Sequence, residues 1–223
     1  MLRRVRHFRL RSALVLIVLF SVVLGVRSSV LRVREQERRV LEELTAQGGI
    51  DTSFSVADTG PSYLFLPLEK RVVSVYIRAD ELPNKSALGK LRELESLRSI
   101  HLTGDCIIDT DLRSFSGLTK LEAVSISKSS ISGRGIAALA KSVPRLRELF
   151  VSNTTLSDRD VVELLELTGL EVLDVSDTRI SAEGIKRLAA LPKLRELKAT
   201  GTKIPAEISD AIRKERPTLV LAL

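Results

Sequence analysis

LRELFVSNTTL, running from Leu146 to Leu156, and LEVLDVSDTRI, from Leu170 to Ile180, carry apolar residues at the same first, fourth, sixth and eleventh positions. The line recurs as LRSIHLTGDCI from Leu97, LEAVSISKSSI from Leu121 and LRELKATGTKI from Leu194, at spacings of 24, 25, 24 and 24 residues. A degenerate copy, VVSVYIRADEL, begins at Val72, and Leu221 and Leu223 repeat the phase of Leu197 and Ala199. Self-similarity at a fixed period is the mark of a solenoid, in which each unit leaves an apolar flank that only its neighbours can cover. Within a unit the period is first that of a strand, as in Leu170, Leu173 and Val175. It then becomes that of a helix, as in Ile185, Leu188 and Leu191. The expected architecture is therefore α/β, about six coils over residues 72–223 plus a closing strand, with Ser132, Ser157 or Ser181 capping the outer helices.

These lines resemble leucine-rich repeats, whose signature is L-x-x-L-x-L-x-x-(N/T)-x-(I/L). The resemblance implies a short curved horseshoe with parallel strands inside and helices outside, and binding as the activity. The place usually held by asparagine is taken by Asp80, Asp105, Ser129, Thr154, Thr178 and Thr202, which can still bond neighbouring backbone. The continuation from Thr178 to Leu188 is similar to the cysteine-containing subclass, and the chain as a whole to bacterial relatives with a basic, membrane-spanning N-terminus.

Outside the repeat, the net charge of +7 lies almost wholly in residues 1–49, where ten arginines face four glutamates. The remaining residues hold 25 Lys and Arg against 24 Asp and Glu, which is not the one-sided basic excess that a nucleic-acid partner demands. After a basic tail (1–11) runs SALVLIVLFSVVLGV, Ser12 to Val26, uncharged and apolar. It reads as a transmembrane helix, slightly short for a bilayer, with the N-terminus cytoplasmic and the repeats outside. The alternative is a signal peptide cleaved near Val23-Leu24-Gly25, with secretion of the rest. A juxtamembrane helix is expected within 27–48, stopped by Gly48-Gly49, and an N-terminal cap with a strand at Ile50 to Val56 within 49–71.

Several motifs admit a chemical reading and a plainer one. Gly133-Arg134-Gly135-Ile136-Ala137-Ala138 superficially matches a dinucleotide fingerprint, yet Gly135 holds the repeat position of Gly184, Asp111 and Asp160. Asp109/Asp111 and Asp158/Asp160 could be imagined as metal ligands or an acid/base pair, but they recur at a turn where a carboxylate caps a helix. His101 and Cys106 are too few for a zinc site, with one Cys and two His in the chain. Leu66-Pro67-Leu68-Glu69 is similar to an F-box opening, but the repeat phase already starts at Val72.

The variable inner-strand positions face the concavity. Tyr76, His101, Phe150, Asp174 and Lys198, flanked by Arg78, Glu148 and Glu196, form the candidate surface for a protein or peptide ligand, with Phe150 as an exposed anchor. No catalytic set, cofactor or metal is expected. The alternative is a structural or self-associating envelope component, dimerising through the 31–47 helix.

Overall fold

The computed structural model describes residue 21 and residues 32–33, 35–43, 50–58, 70–79 and 85–223. The apolar run at 12–26, the basic tail and the F-box-like stretch therefore lie outside the described residues, Ser21 excepted. Among the described residues no helix is long and apolar enough to cross a membrane. Contacts divide the chain into two units, Met1–Arg39 and Val40–Leu223. In the first, Arg38 donates to Glu35 at 2.7 Å and holds its carboxyl below the usual carboxylate range. Residues 32–33 and 35–43 are helical (α1).

The second unit is built on one eight-stranded sheet in strict sequence order. Strands β1 (Ile50–Asp58) and β2 (Lys70–Ala79) pair antiparallel. From β2 onward every pairing is parallel and connects neighbouring coils: β3 (Ser99–Thr103), β4 (Ala123–Ser127), β5 (Glu148–Phe150), β6 (Val172–Asp174), β7 (Glu196–Lys198) and β8 (Val220–Ala222). The register places Ile100, Val124, Leu149, Leu173 and Leu197 in one inward column. All five are fully buried, as are Leu102, Ile126, Val151, Val175 and Ala199 of the next column. The successive parallel rungs expected from the 24-residue period are thus present.

Coils alternate in how they return on the outer side. The coils of Leu121 and Leu170 use regular helices, α2 (Gly133–Ser142) and α4 (Ala182–Ala189). Those of Leu97 and Leu146 use the 3-10 segments Asp111–Phe115 and Asp158–Asp160, the latter running into the short α3 (Val161–Leu165). An α-helix on every coil was the simpler expectation. Composition explains the difference at Leu97, where Ser114, Ser116 and the left-handed Gly117 (φ 93°) stand where α2 has an alanine-rich run. A last helix, α5 (Ala206–Glu215), precedes β8.

The paired aspartates account for this alternation further. Asp111 and Asp160 accept from the backbone N–H of Ile108 and Ser157 in their own turns. Asp109 reaches the next coil, accepting from the backbone N–H and hydroxyl of Ser132 at 2.7 Å each, and Asp158 accepts from Ser181 N–H at 2.8 Å. Ser132 and Ser181 then cap α2 and α4, through Arg134 N–H and Gly184 N–H. Ser157 instead donates its hydroxyl to Asp160, so there the carboxylate does the capping. Glycine follows from this geometry, because a Cβ on Gly135 would stand 2.5 Å from Asp109 Oδ1 and one on Gly184 2.6 Å from Asp158 Oδ1.

Two other columns run along the coils. The eighth position is left-handed in all five, at Gly104, Lys128, Asn153, Asp177 and Gly201. At the ninth, Thr154 and Thr178 donate to carbonyls of their own coils, Val151 and Val175, while the hydroxyl oxygens of Ser129 and Thr202 are buried without a partner among the described residues. The asparagine-substituting hydroxyls therefore do not form a ladder between coils. That task falls one position later to Thr155, whose hydroxyl donates to Ile131 O. At the far end the Arg216 guanidinium donates to the carbonyls of Ala189, Leu191 and Leu194, tying the last turn to the coil before it.

Two stability outcomes follow. Leu173→Ala, at the fully buried centre of the column, costs about 3 kcal/mol in urea unfolding. Gly135→Ala destabilises by about 1–2 kcal/mol, since the Asp109 oxygen it meets is already held by Ser132. In an Asp109→Ala background the same substitution is close to neutral, and a double-mutant cycle reads the difference.

Candidate functional site

Outward residues of β2–β7 form the surface singled out by the sequence, and the strand register decides which of them meet. Tyr76 pairs with His101 across β2 and β3. Their rings stack with centroids 4.3 Å apart and planes 5° from parallel, leaving Tyr76 43% exposed. Burial of the imidazole lowers the His101 pKa below its ordinary value of 6.5. The pair therefore presents a neutral, flat, aromatic face at neutral pH.

A second cluster lies across β5, β6 and β7, where Phe150, Asp174 and Lys198 share one register line. Lys198 reaches past Asp174 to place its ammonium 5.8 Å from the Phe150 ring centroid, and it pairs with Glu196 at 3.2 Å. Phe150 is half-buried, a correction to the exposed anchor expected from sequence, with the lysine ammonium over its ring. Asp174 accepts from Ser176 N–H at 2.9 Å, which turns its carboxylate along its own strand. Glu148 stays exposed at the start of β5. Arg78 has its backbone opposite Thr103, and its side chain lies outside the described residues.

Between the two clusters runs β4, whose outward residues Ala123, Ser125 and Ser127 are all small. The face thus has two aromatic elements separated by a low strand. The hydroxyl line beside it is internally bonded, Ser127 to Ser152 at 3.2 Å and Thr200 N–H to the Ser176 hydroxyl at 3.1 Å. Among the described residues no group of three or more His, Cys, Asp or Glu could hold a metal ion. Cys106 is half-buried against the core rather than presented with His101.

Sequence reading missed the second position of each coil, which carries Arg98, Glu122, Arg147, Glu171 and Arg195 in alternation. The signal was present in the stacked lines LR, LE, LR, LE, LR. Single-coil reading treats that position as variable, and only comparison across coils exposes its sign pattern.

One strand and one outer helical segment per coil of 24 or 25 residues is the geometry of a leucine-rich-repeat solenoid. Neither the protein-family models nor the curated proteins give a match to the chain. Among solved structures, the LRR ectodomain of the receptor kinase SOBIR1 from Arabidopsis thaliana is similar at 18% identity and a TM-score of 0.40, over 76% of this chain and 94% of that one. An LRR protein of Leptospira interrogans is similar at 21% identity and a TM-score of 0.42, over 66% of this chain. An internalin of Listeria monocytogenes is similar at 16% identity and a TM-score of 0.47, over 67% of this chain. The chain spans 35% and 47% of the length of the latter two.

The His101 shift has a measurable sign. Above about pH 6.5 neither the folded nor the unfolded imidazole is charged, and the residue adds no pH dependence. As pH falls below that value the unfolded chain takes up the proton first, so stability declines towards the lowered folded pKa. Urea midpoints at pH 8 and pH 5.5 show a smaller drop for His101→Gln than for the parent chain.

Proposed function

We propose that this chain is a membrane-tethered interaction module whose concave face binds a protein or peptide ligand without catalysis. The observation that carries the reading is the pair of aromatic elements on β2–β3 and β5–β7. Tyr76 is stacked and open, and Phe150 is braced by Lys198, on either side of the small-residue strand β4. Rigid aromatic groups held in place before binding lose little conformational freedom on association, and such residues supply a large share of interface energy. Glu148, Asp174, Glu196 and Lys198 form the polar surround, with Arg78 placed beside Thr103 by its backbone register.

The tether is the apolar run at Ser12–Val26; five arginines stand on each side of it, and the free amine and His7 tip the positive charge to the N-terminal side, which favours an N-terminus in the cytoplasm and the repeats outside. The bacterial type and the cysteine-containing subclass belong to the same proposal, on the strength of the basic N-terminus and the Thr178–Leu188 continuation.

Affinity capture and crosslinking with the intact anchored chain identify the ligand. Against it, Tyr76→Ala and Phe150→Ala each weaken binding by about 1–2 kcal/mol in titration calorimetry. Unchanged affinity in both variants removes the concave face from the account. For the tether, alkaline carbonate extraction of membranes leaves the intact chain in the pellet, and release of the chain into the supernatant refutes it.

A further inference from the structure

The Arg98–Glu122–Arg147–Glu171–Arg195 ladder runs along the rim where the strands begin, one residue per coil. Its members are ion-paired only loosely: Arg98 to Glu122 at 3.9 Å, Arg147 to Glu171 at 3.5 Å and Arg195 to the same Glu171 at 3.6 Å. None of these contacts has hydrogen-bond geometry. The arginine side chains are 60%, 62% and 80% exposed, against 38% and 26% for the glutamates. Guanidinium donors therefore stand outermost on alternate coils, with a carboxylate set back between them. Exposed pairs of this quality contribute only about 0–1 kcal/mol each to stability, so holding the fold together does not account for five alternating positions.

The spacing limits what can complement the ladder. Neighbouring strands lie about 4.8 Å apart, so charges of one sign recur about every 9.6 Å with the opposite sign midway. A dense polyanion meets a repelling glutamate at every second step. An α-helix advances about 5.4 Å per turn, and a helix with acidic and basic residues on successive turns of one face offers the matching alternation. The mismatch accumulates to only about 2.4 Å over four steps, within the reach of arginine and glutamate side chains. Beside the ladder an open groove of about 490 Å3 has Ala123, Val172 and the exposed Val220 along it, apolar ground for a helix shoulder.

We propose that this rim docks an α-helix of a partner protein that carries acidic and basic side chains on alternate turns of one face, flanked by an apolar stripe. The rim borders the concave face along Glu148, Val172 and Glu196, two residues before the Phe150, Asp174 and Lys198 line.

The test uses the full chain in detergent and a labelled synthetic helix with Glu and Lys alternating at i, i+4, i+7 and i+11. A peptide of the same composition with its charges spread around the helix serves as control, and polyaspartate serves as the dense polyanion. Fluorescence anisotropy is expected to show binding of the first peptide at least about tenfold tighter than the control, weakening steeply with added salt. Arg147→Gln combined with Arg195→Gln, which keeps side-chain length and adds no repulsion to Glu171, is expected to lose at least about tenfold with its thermal midpoint retained. Equal binding of the control, tighter binding of polyaspartate, no binding of the patterned helix, or full affinity in the folded double variant overturns the proposal. Should the double variant not fold, Arg147→Lys with Arg195→Lys takes its place; it keeps the charge and most of the affinity, and loss to the level of the control peptide counts against the ladder.

Discussion

Everything in the solenoid depends on apolar side chains that no single coil can bury. Ile100, Val124, Leu149, Leu173 and Leu197 are sealed because each lies between the same residue of the coils before and after it. Each contributes roughly 1.5–3 kcal/mol by leaving water, but only in a stack. That requirement fixes the phase within each strand, because a one-residue slip there would turn the inward column out to solvent, whereas the 25-residue step from Val124 to Leu149 leaves both buried. It also explains why hydrogen bonds between coils cluster at the turns: strand pairing and packing set the translation, and Asp109, Asp158 and Thr155 set how each outer segment starts relative to its neighbour.

The stacked scaffold leaves the outward strand positions uncommitted to the core, and the proposed ligand surface is made of them. Tyr76 and His101 stiffen each other by stacking, and Lys198 stiffens Phe150. The inner column keeps these positions in register, so aromatic groups three coils apart hold a fixed spacing. The rim ladder uses the same register along a neighbouring line, bordering that face at Glu148 and Glu196.

The fold was legible because its signal is periodic. Five copies of one line, at intervals differing by a single residue, left little choice of architecture, and the core residues followed from the phase. The strand at Ile50–Asp58 was also visible in its alternation, although its antiparallel pairing with β2 was not. Nothing in the repeated line shows that Lys198 reaches past Asp174 to the Phe150 ring, because that depends on side-chain direction between strands. Aspartates at 109 and 158 were recognised as turn residues, but their partners lie in the following coil at Ser132 and Ser181, beyond any local pattern. Arg216, with three carbonyls around its guanidinium, had no sequence cue, being among the described residues the only one that performs that task.

The carboxylate of one coil sits where the next coil has a glycine, and the rim charge changes sign at the same step. Two coils rather than one are therefore the unit of growth. Duplicating a single coil would set glutamate against glutamate on the rim, or aspartate against a side chain at the helix start. Adding or deleting 48 or 49 residues at a time preserves both alternations. A lineage that lengthens this protein has its indels confined to even steps, and a designer extending it inherits the same parity rule.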